Sequence, residues 1–247
     1  MVVDNETLVR DQLTKLRDPR ALERSIDEID HDIKRNRIYI MGCGRSGTWL
    51  LTSFFSTYAD MTIVPKELPV QYFGMMTSQT KNLLFKRDFQ SYTHVELIPS
   101  NIKIIWIVRH PFDVLTSHNP NTKNDYHVQP HRFLGEMLAL RYLVETNKAA
   151  HVIKYEDLVT DPYKAQENIS NDLGLTIEAS PDEIPKRFNS TERAKRSMHG
   201  IRKIDSNSIS NYLNDSAKIS YLKNIMPRIY PVLDWLTERY SYNFDIN

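Results

Sequence analysis

Short apolar runs along this chain are separated by longer stretches in which apolar residues return every three or four positions, the signature of strands interleaved with amphipathic helices. Residues 4 to 35 carry Leu8, Leu13, Leu16, Leu22, Ile26, Ile29 and Ile33 among charged neighbours, with Pro19 as a break. That spacing predicts two amphipathic helices packed outside a sheet. Ile38 to Met41 forms a short buried-strand signal, and a helix is expected from about Ser46 to Tyr58. Met61 to Val64 reads as a second strand and Phe89 to Val95 as a third, while Ile102 to Val108, IKIIWIV, is the clearest, nearly continuous in apolar residues as expected for a strand buried on both faces. Pro111 suits the first turn of a helix ending near Ser117. Asn119 to Pro130 is polar and aperiodic and reads as a connection or lid. Phe133 to Asn147 predicts a helix, His151 to Tyr155 a strand, Asp161 to Leu173 a helix, and the last forty residues look helical. The alternation predicts an α/β fold, a central parallel β-sheet flanked by helices, as one domain over residues 1–247 with residues 1–36 packed on the core.

Composition narrows the partners more than the fold. Thirty-two Lys and Arg stand against 31 Asp and Glu, so the chain lacks the basic field of a general nucleic-acid or anionic-membrane binder, and any anion site must be local. No run approaches the ~18 apolar residues of a membrane span. The one cysteine, Cys43, excludes an intramolecular disulfide and reads as a small loop residue in a reducing compartment. The expectation is a cytoplasmic protein with no nucleic-acid or membrane partner.

The chemistry concentrates in Ile38 to Leu51, IYIMGCGRSGTWLL, where a strand meets a helix through three glycines in six residues. Glycines let successive N–H groups point into one concavity, and the helix start adds its positive dipole end, so the natural guest is a phosphate and the core is expected to be three-layered and P-loop NTPase-like. Thr48 and Trp49 stand where an ATP-binding loop needs Lys and then Ser or Thr, and the cation lies inside the loop instead, at Arg45. The IKIIWIV strand ends in Arg109, where a magnesium-dependent NTPase needs an aspartate, which argues for an anion met without a metal. Glu67 falls at the carboxyl end of the second strand, where ligands of open parallel sheets sit. His94 falls near the end of the third. Residues 70 to 88 mix aromatics and methionines with polar residues, as core packing or an acceptor pocket. Lys186 to Lys203 is a basic segment, either a solvated face or a loop that closes over a phosphate.

GRSGTWLL, IIWIVRHPFDVLTSH and VIKYEDLVTDP, in that order and with those gaps, resemble the sulfotransferases that use 3′-phosphoadenosine 5′-phosphosulfate (PAPS), over roughly residues 37 to 175. The resemblance implies that Arg45, Ser46, Gly47 and Thr48 hold the 5′-phosphosulfate. Trp49 belongs to the same stretch, at a position where a second small hydroxyl residue is common. It also implies that Arg109 and Ser117, eight residues apart, clamp the 3′-phosphate, that Tyr155 lies near the adenine, and that Arg202 and Lys203 cover the 3′-phosphate from a late basic loop. For the general base it offers Glu67, as in tyrosylprotein and glycan sulfotransferases, or His94, since Tyr92-Thr93-His94 resembles the Lys-Thr-His motif of cytosolic members without its lysine. Glu67 is preferred because its segment matches over more positions. The implied reaction is metal-independent transfer of a sulfuryl group from PAPS to a hydroxyl or an amine of an acceptor, with a small hydroxylated metabolite preferred, leaving adenosine 3′,5′-bisphosphate (PAP). A nucleotide kinase or NTPase on the same core, and a noncatalytic nucleotide-binding module, are the alternatives.

Overall fold

The computed structural model describes residues 17–30, 35–76, 78–88, 91–118, 126–198, 200–201 and 203–245. Five strands form a parallel sheet: β1 Asn36–Gly42, β2 Met61–Glu67, β3 Asn82–Lys86, β4 Ile102–Val108 and β5 Ala149–Lys154, in the order β2-β3-β1-β4-β5. The central β1 alternates its burial between two cores. Ile38 and Ile40 face one layer and Tyr39 and Met41 the other, all at 0% exposure, as expected for a strand covered on both sides.

Helices supply both layers. On the Tyr39 face lie α1 (Pro19–Ile29), with Leu22 and Ile26 buried, then α3 (Pro111–Leu115), α4 (Pro130–Glu145) and α9 (Ser216–Tyr240). On the Ile38 face lie α2 (Thr48–Phe54), α5 (Tyr155–Thr160), α6 (Pro162–Leu173) and the short α7 (Ile184–Arg187) and α8 (Glu192–Ser197). The end of α1 is fastened to β1 through Asp30, which accepts from the buried Arg37 at 2.6 and 3.0 Å and from Arg35 at 2.6 Å. A buried arginine needs such a bidentate partner to offset its desolvation. The first of the two N-terminal helices predicted from sequence lies outside the described residues.

The third strand is not where the sequence pattern put it. Residues 91–97 form two short 3₁₀ turns kinked at His94, and residues 89 and 90 lie outside the described residues. The strand is Asn82–Lys86, all five residues buried, wedged between β1 and β2. Its middle, LLF, has too few apolar residues to announce itself, and Asn82 is tolerated at its start because its side chain is bonded to Asn36 at 2.8 Å and to the Ala59 carbonyl at 3.0 Å. Among the described residues no helix is long and apolar enough to cross a membrane.

Candidate active site around the glycine loop

The loop from Gly42 to Gly47 leaves the carboxyl end of the central strand and is shaped by close backbone approaches. A Cβ on Gly42 (φ +148) would stand 2.7 Å from the Ile107 carbonyl oxygen, and one on Gly47 (φ +97) 2.6 Å from the Tyr155 ring. Neither position admits a side chain. Inside the turn, buried Ser46 donates its hydroxyl to the Cys43 carbonyl at 2.7 Å. Gly47 caps α2 and, having no side chain, makes no cap hydrogen bond to the first helical N–H groups. Arg45 sits between them in the left-handed region, φ 68.

Segments far apart in sequence meet at this loop. Arg45 Nε donates to Ser117 Oγ at 2.7 Å, and the Arg45 carbonyl accepts from Arg109 Nη1 at 3.1 Å. Arg109 follows β4, and the five-residue α3, started by Pro111 and by His110 Nδ1 accepting from the Phe112 N–H, turns the chain so that Ser117 returns to the loop. The Arg109 guanidinium lies 4.4 Å from the centre of the Tyr155 ring, the residue that opens α5 after β5. Its Nη2 donates to the Ser208 carbonyl, Asp113 lies 3.8 Å away, and its Nε is buried with no hydrogen-bond partner among the described residues. Burial, and then the Arg109 charge, lower the pKa of Arg45. Two partly buried guanidiniums together with an unspent donor make a site that an anion stabilises.

The stretch just after the late basic segment reaches this cluster through its backbone. Ser208 supplies a carbonyl to Arg109, and the Ser210 N–H donates to Asp113 at 2.8 Å. Lys203, predicted to cover the 3′-phosphate, is 74% exposed at its side chain and lies 3.5 Å from Asp182 instead. Arg202 lies outside the described residues.

On the other side of β1, Glu67 ends β2 in register with Lys86, which ends β3. Lys86 donates to Glu67 Oε1, Arg193 from α8 pairs with Oε2, and the buried Lys86 ammonium lies 4.7 Å from the centre of the Trp49 ring. Burial pushes the Lys86 pKa down to about 8 although Glu67 opposes it. A buried lysine titrating near neutrality in a strand-end cluster is a functional signal. Trp49 is itself buried beneath it, part of the Ile38-side core. His94 is not brought here: it is exposed at its kink, and no hydrogen bond, ion pair or ring contact joins it to the loop among the described residues.

Sequence reasoning missed Lys86, and it missed the neighbouring ion network that holds the loop's first residue. Arg87 donates through Nε to the Gly42 carbonyl at 2.8 Å and pairs with fully buried Glu136 at 2.7 Å, while Arg132 reaches the same carboxylate at 3.2 Å. Next to it the Cys43 thiol is pushed up by burial and by Glu136, which makes it an inert core group.

No family model matches the chain, and no curated protein does. Solved structures do. The chain is similar to the sulfotransferase domain from the curacin biosynthetic pathway, at 18% identity and a TM-score of 0.51, covering 85% of this chain and 99% of that one. It is similar to the sulfotransferase domain from the Synechococcus PCC 7002 olefin synthase, also at 18% and 0.51, covering 85% and 97%. A mouse sulfotransferase, SULT7A1 complexed with PAP, aligns at 18% identity and a TM-score of 0.44, covering 88% and 89%. The first two likenesses establish the fold, an α/β core with a parallel sheet as in sulfotransferase domains.

Proposed function

We propose that this protein is a sulfotransferase that moves a sulfuryl group from PAPS to a hydroxyl of a small acceptor. The observation that carries this reading is the meeting of Arg45, Arg109 and Ser117 around a buried, unpartnered guanidinium nitrogen, three residues separated by up to 72 positions. The sulfotransferase fold supports it.

In this reading Arg109 and Ser117 hold the donor's 3′-phosphate, and the face of Tyr155 flanks the adenine. The loop N–H groups, Ser46 and Thr48 cradle the 5′-phosphosulfate. Arg45 meets the charge that grows on the bridging oxygen as the S–O bond breaks, where a preorganised cation lowers the barrier. Glu67 and Lys86 lie on the acceptor side. Both Glu67 oxygens are occupied by cations, so the carboxylate anchors the Lys86 ammonium beside the transferred group. The rate comes from alignment and charge placement.

Calorimetry tests the donor assignment. PAP should bind about 100-fold more tightly than 5′-AMP, since charged hydrogen bonds to a phosphate contribute ~1.5–3 kcal/mol each. Equal affinities overturn the 3′-phosphate clamp. Turnover of a nucleoside triphosphate that depends on added Mg²⁺ would support the kinase alternative, and PAP binding without sulfate release the noncatalytic one.

A further inference from the structure

We propose that His127 takes the proton from the acceptor as its oxygen attacks sulfur, acting as the general base of the reaction proposed above, on which this inference rests.

His127 is pinned to the donor clamp. Its backbone N–H donates to the Ser117 carbonyl at 2.9 Å, and an antiparallel bridge joins His118 to Tyr126, their rings 5.4 Å apart. The chain thus returns beside the serine whose hydroxyl holds Arg45. The ring then lies against the loop: a Cβ on Gly44 would be 3.4 Å from His127 Cδ2 and 3.3 Å from Arg132 Nη2. Gly44 leaves room for both.

Charges from both halves of the site act on the ring. Arg45 of the loop, Arg132 of α4, Glu67 at the end of β2 and Arg193 of α8 all interact with it electrostatically. Burial, reinforced by the three arginines against the one carboxylate, lowers the His127 pKa below its usual 6.5, so the imidazole is neutral and has an accepting nitrogen at pH 7. Its Nδ1 is buried and has no hydrogen-bond partner among the described residues. By contrast His110 uses both ring nitrogens, on the Phe112 N–H and on the Asn243 carbonyl, and His151 is paired with Asp172. A buried ring nitrogen left without a partner is costly, and it is explained by a proton that arrives with the reactant.

The step balances without a further reagent. A lone pair of the acceptor oxygen forms the new S–O bond, the S–O bond to the 5′-phosphate breaks with its electron pair on the phosphate oxygen, and the acceptor proton moves to the imidazole. The imidazolium then returns it to solvent.

Water serves as the probe acceptor: sulfate release from PAPS is measured for wild type, His127→Asn and His127→Gln, alongside PAP calorimetry and thermal melts. Wild type should show an acidic limb below pH 6.5. The variants should keep PAP affinity within about twofold, lose about 100-fold in kcat and lose that limb, and added imidazole should restore part of the rate in His127→Gly. Variants within about threefold of wild type with the limb intact overturn the His127 assignment and leave the sulfotransferase reading standing. Loss of PAP binding together with turnover in a folded variant also overturns it, because the residue then serves the donor site. If Asn fails to fold, the larger Gln decides. Wild type that neither binds PAP nor releases sulfate overturns the parent reading, and this one with it.

Discussion

The two halves of the candidate site differ in how they are held. On the β4–β5 side, Arg109 is fixed by backbone carbonyls of the loop and of Ser208, by the Tyr155 ring face and by Asp113. On the β2–β3 side, Glu67 is held by side chains alone, one from buried Lys86 and one from Arg193, which is 68% exposed. Under the proposed function, a donor common to a whole reaction class rewards the rigid cradle, whereas the side built on a single solvent-facing arm, assigned there to the acceptor, can be altered one side chain at a time.

That contrast can be broken in graded ways. The largest effect is expected at the seam between the halves, where Glu136→Ala would strand the Arg87 guanidinium that grips Gly42. Removing one partner of a buried ion pair costs ~3–5 kcal/mol, to be read from urea unfolding. Next, Arg109→Ala should erase about 100-fold of the preference for PAP over 5′-AMP in calorimetry, while kcat at saturating donor changes only a few-fold. Lys86→Met tests the other half. It should lower kcat about 10-fold or more with donor affinity unchanged. Because burial puts the Lys86 pKa near 8, the ammonium is present below that pH and lost above it, so the wild-type rate should fall through pH 8 and the variant should lack that limb. The smallest effect belongs to Arg193→Ala: an exposed ion pair contributes up to ~1 kcal/mol, so stability and PAP affinity should barely move, and the salt dependence of kcat/KM should flatten.

The same contrast explains what the sequence showed. Strand β4 was legible to the residue because a strand buried on both faces must be almost continuously apolar, and Ile102–Val108 is, save for half-buried Lys103, whose ammonium donates to the Leu173 carbonyl at 2.7 Å. Arg109 was legible as the residue that ends this strand, whereas Ser117 entered through the resemblance, and one strand end and one short helix bring both to Arg45. Lys86 was not, since its partnership with Glu67 exists only once β3 is inserted between β1 and β2, a choice of strand order that no local pattern records. The Arg87–Glu136 pair joins residues 49 apart through the same insertion. His94 was drawn in by an apparent strand over Phe89–Val95, and the kinked turns of residues 91–97 remove the reason for placing it at a strand end.

The backbone of Arg45 has a consequence for the balance between robustness and activity. A non-glycine residue at φ 68 carries roughly 1–2 kcal/mol of unfavourable conformational energy, which the rest of the fold must absorb. Arg45→Gly should therefore raise the melting temperature by relaxing the main chain while abolishing the guanidinium, and Arg45→Ala should lose the guanidinium and keep the tension. Any excess of stability in the glycine variant over the alanine one measures what the molecule forgoes in durability to hold a cation inside the glycine loop.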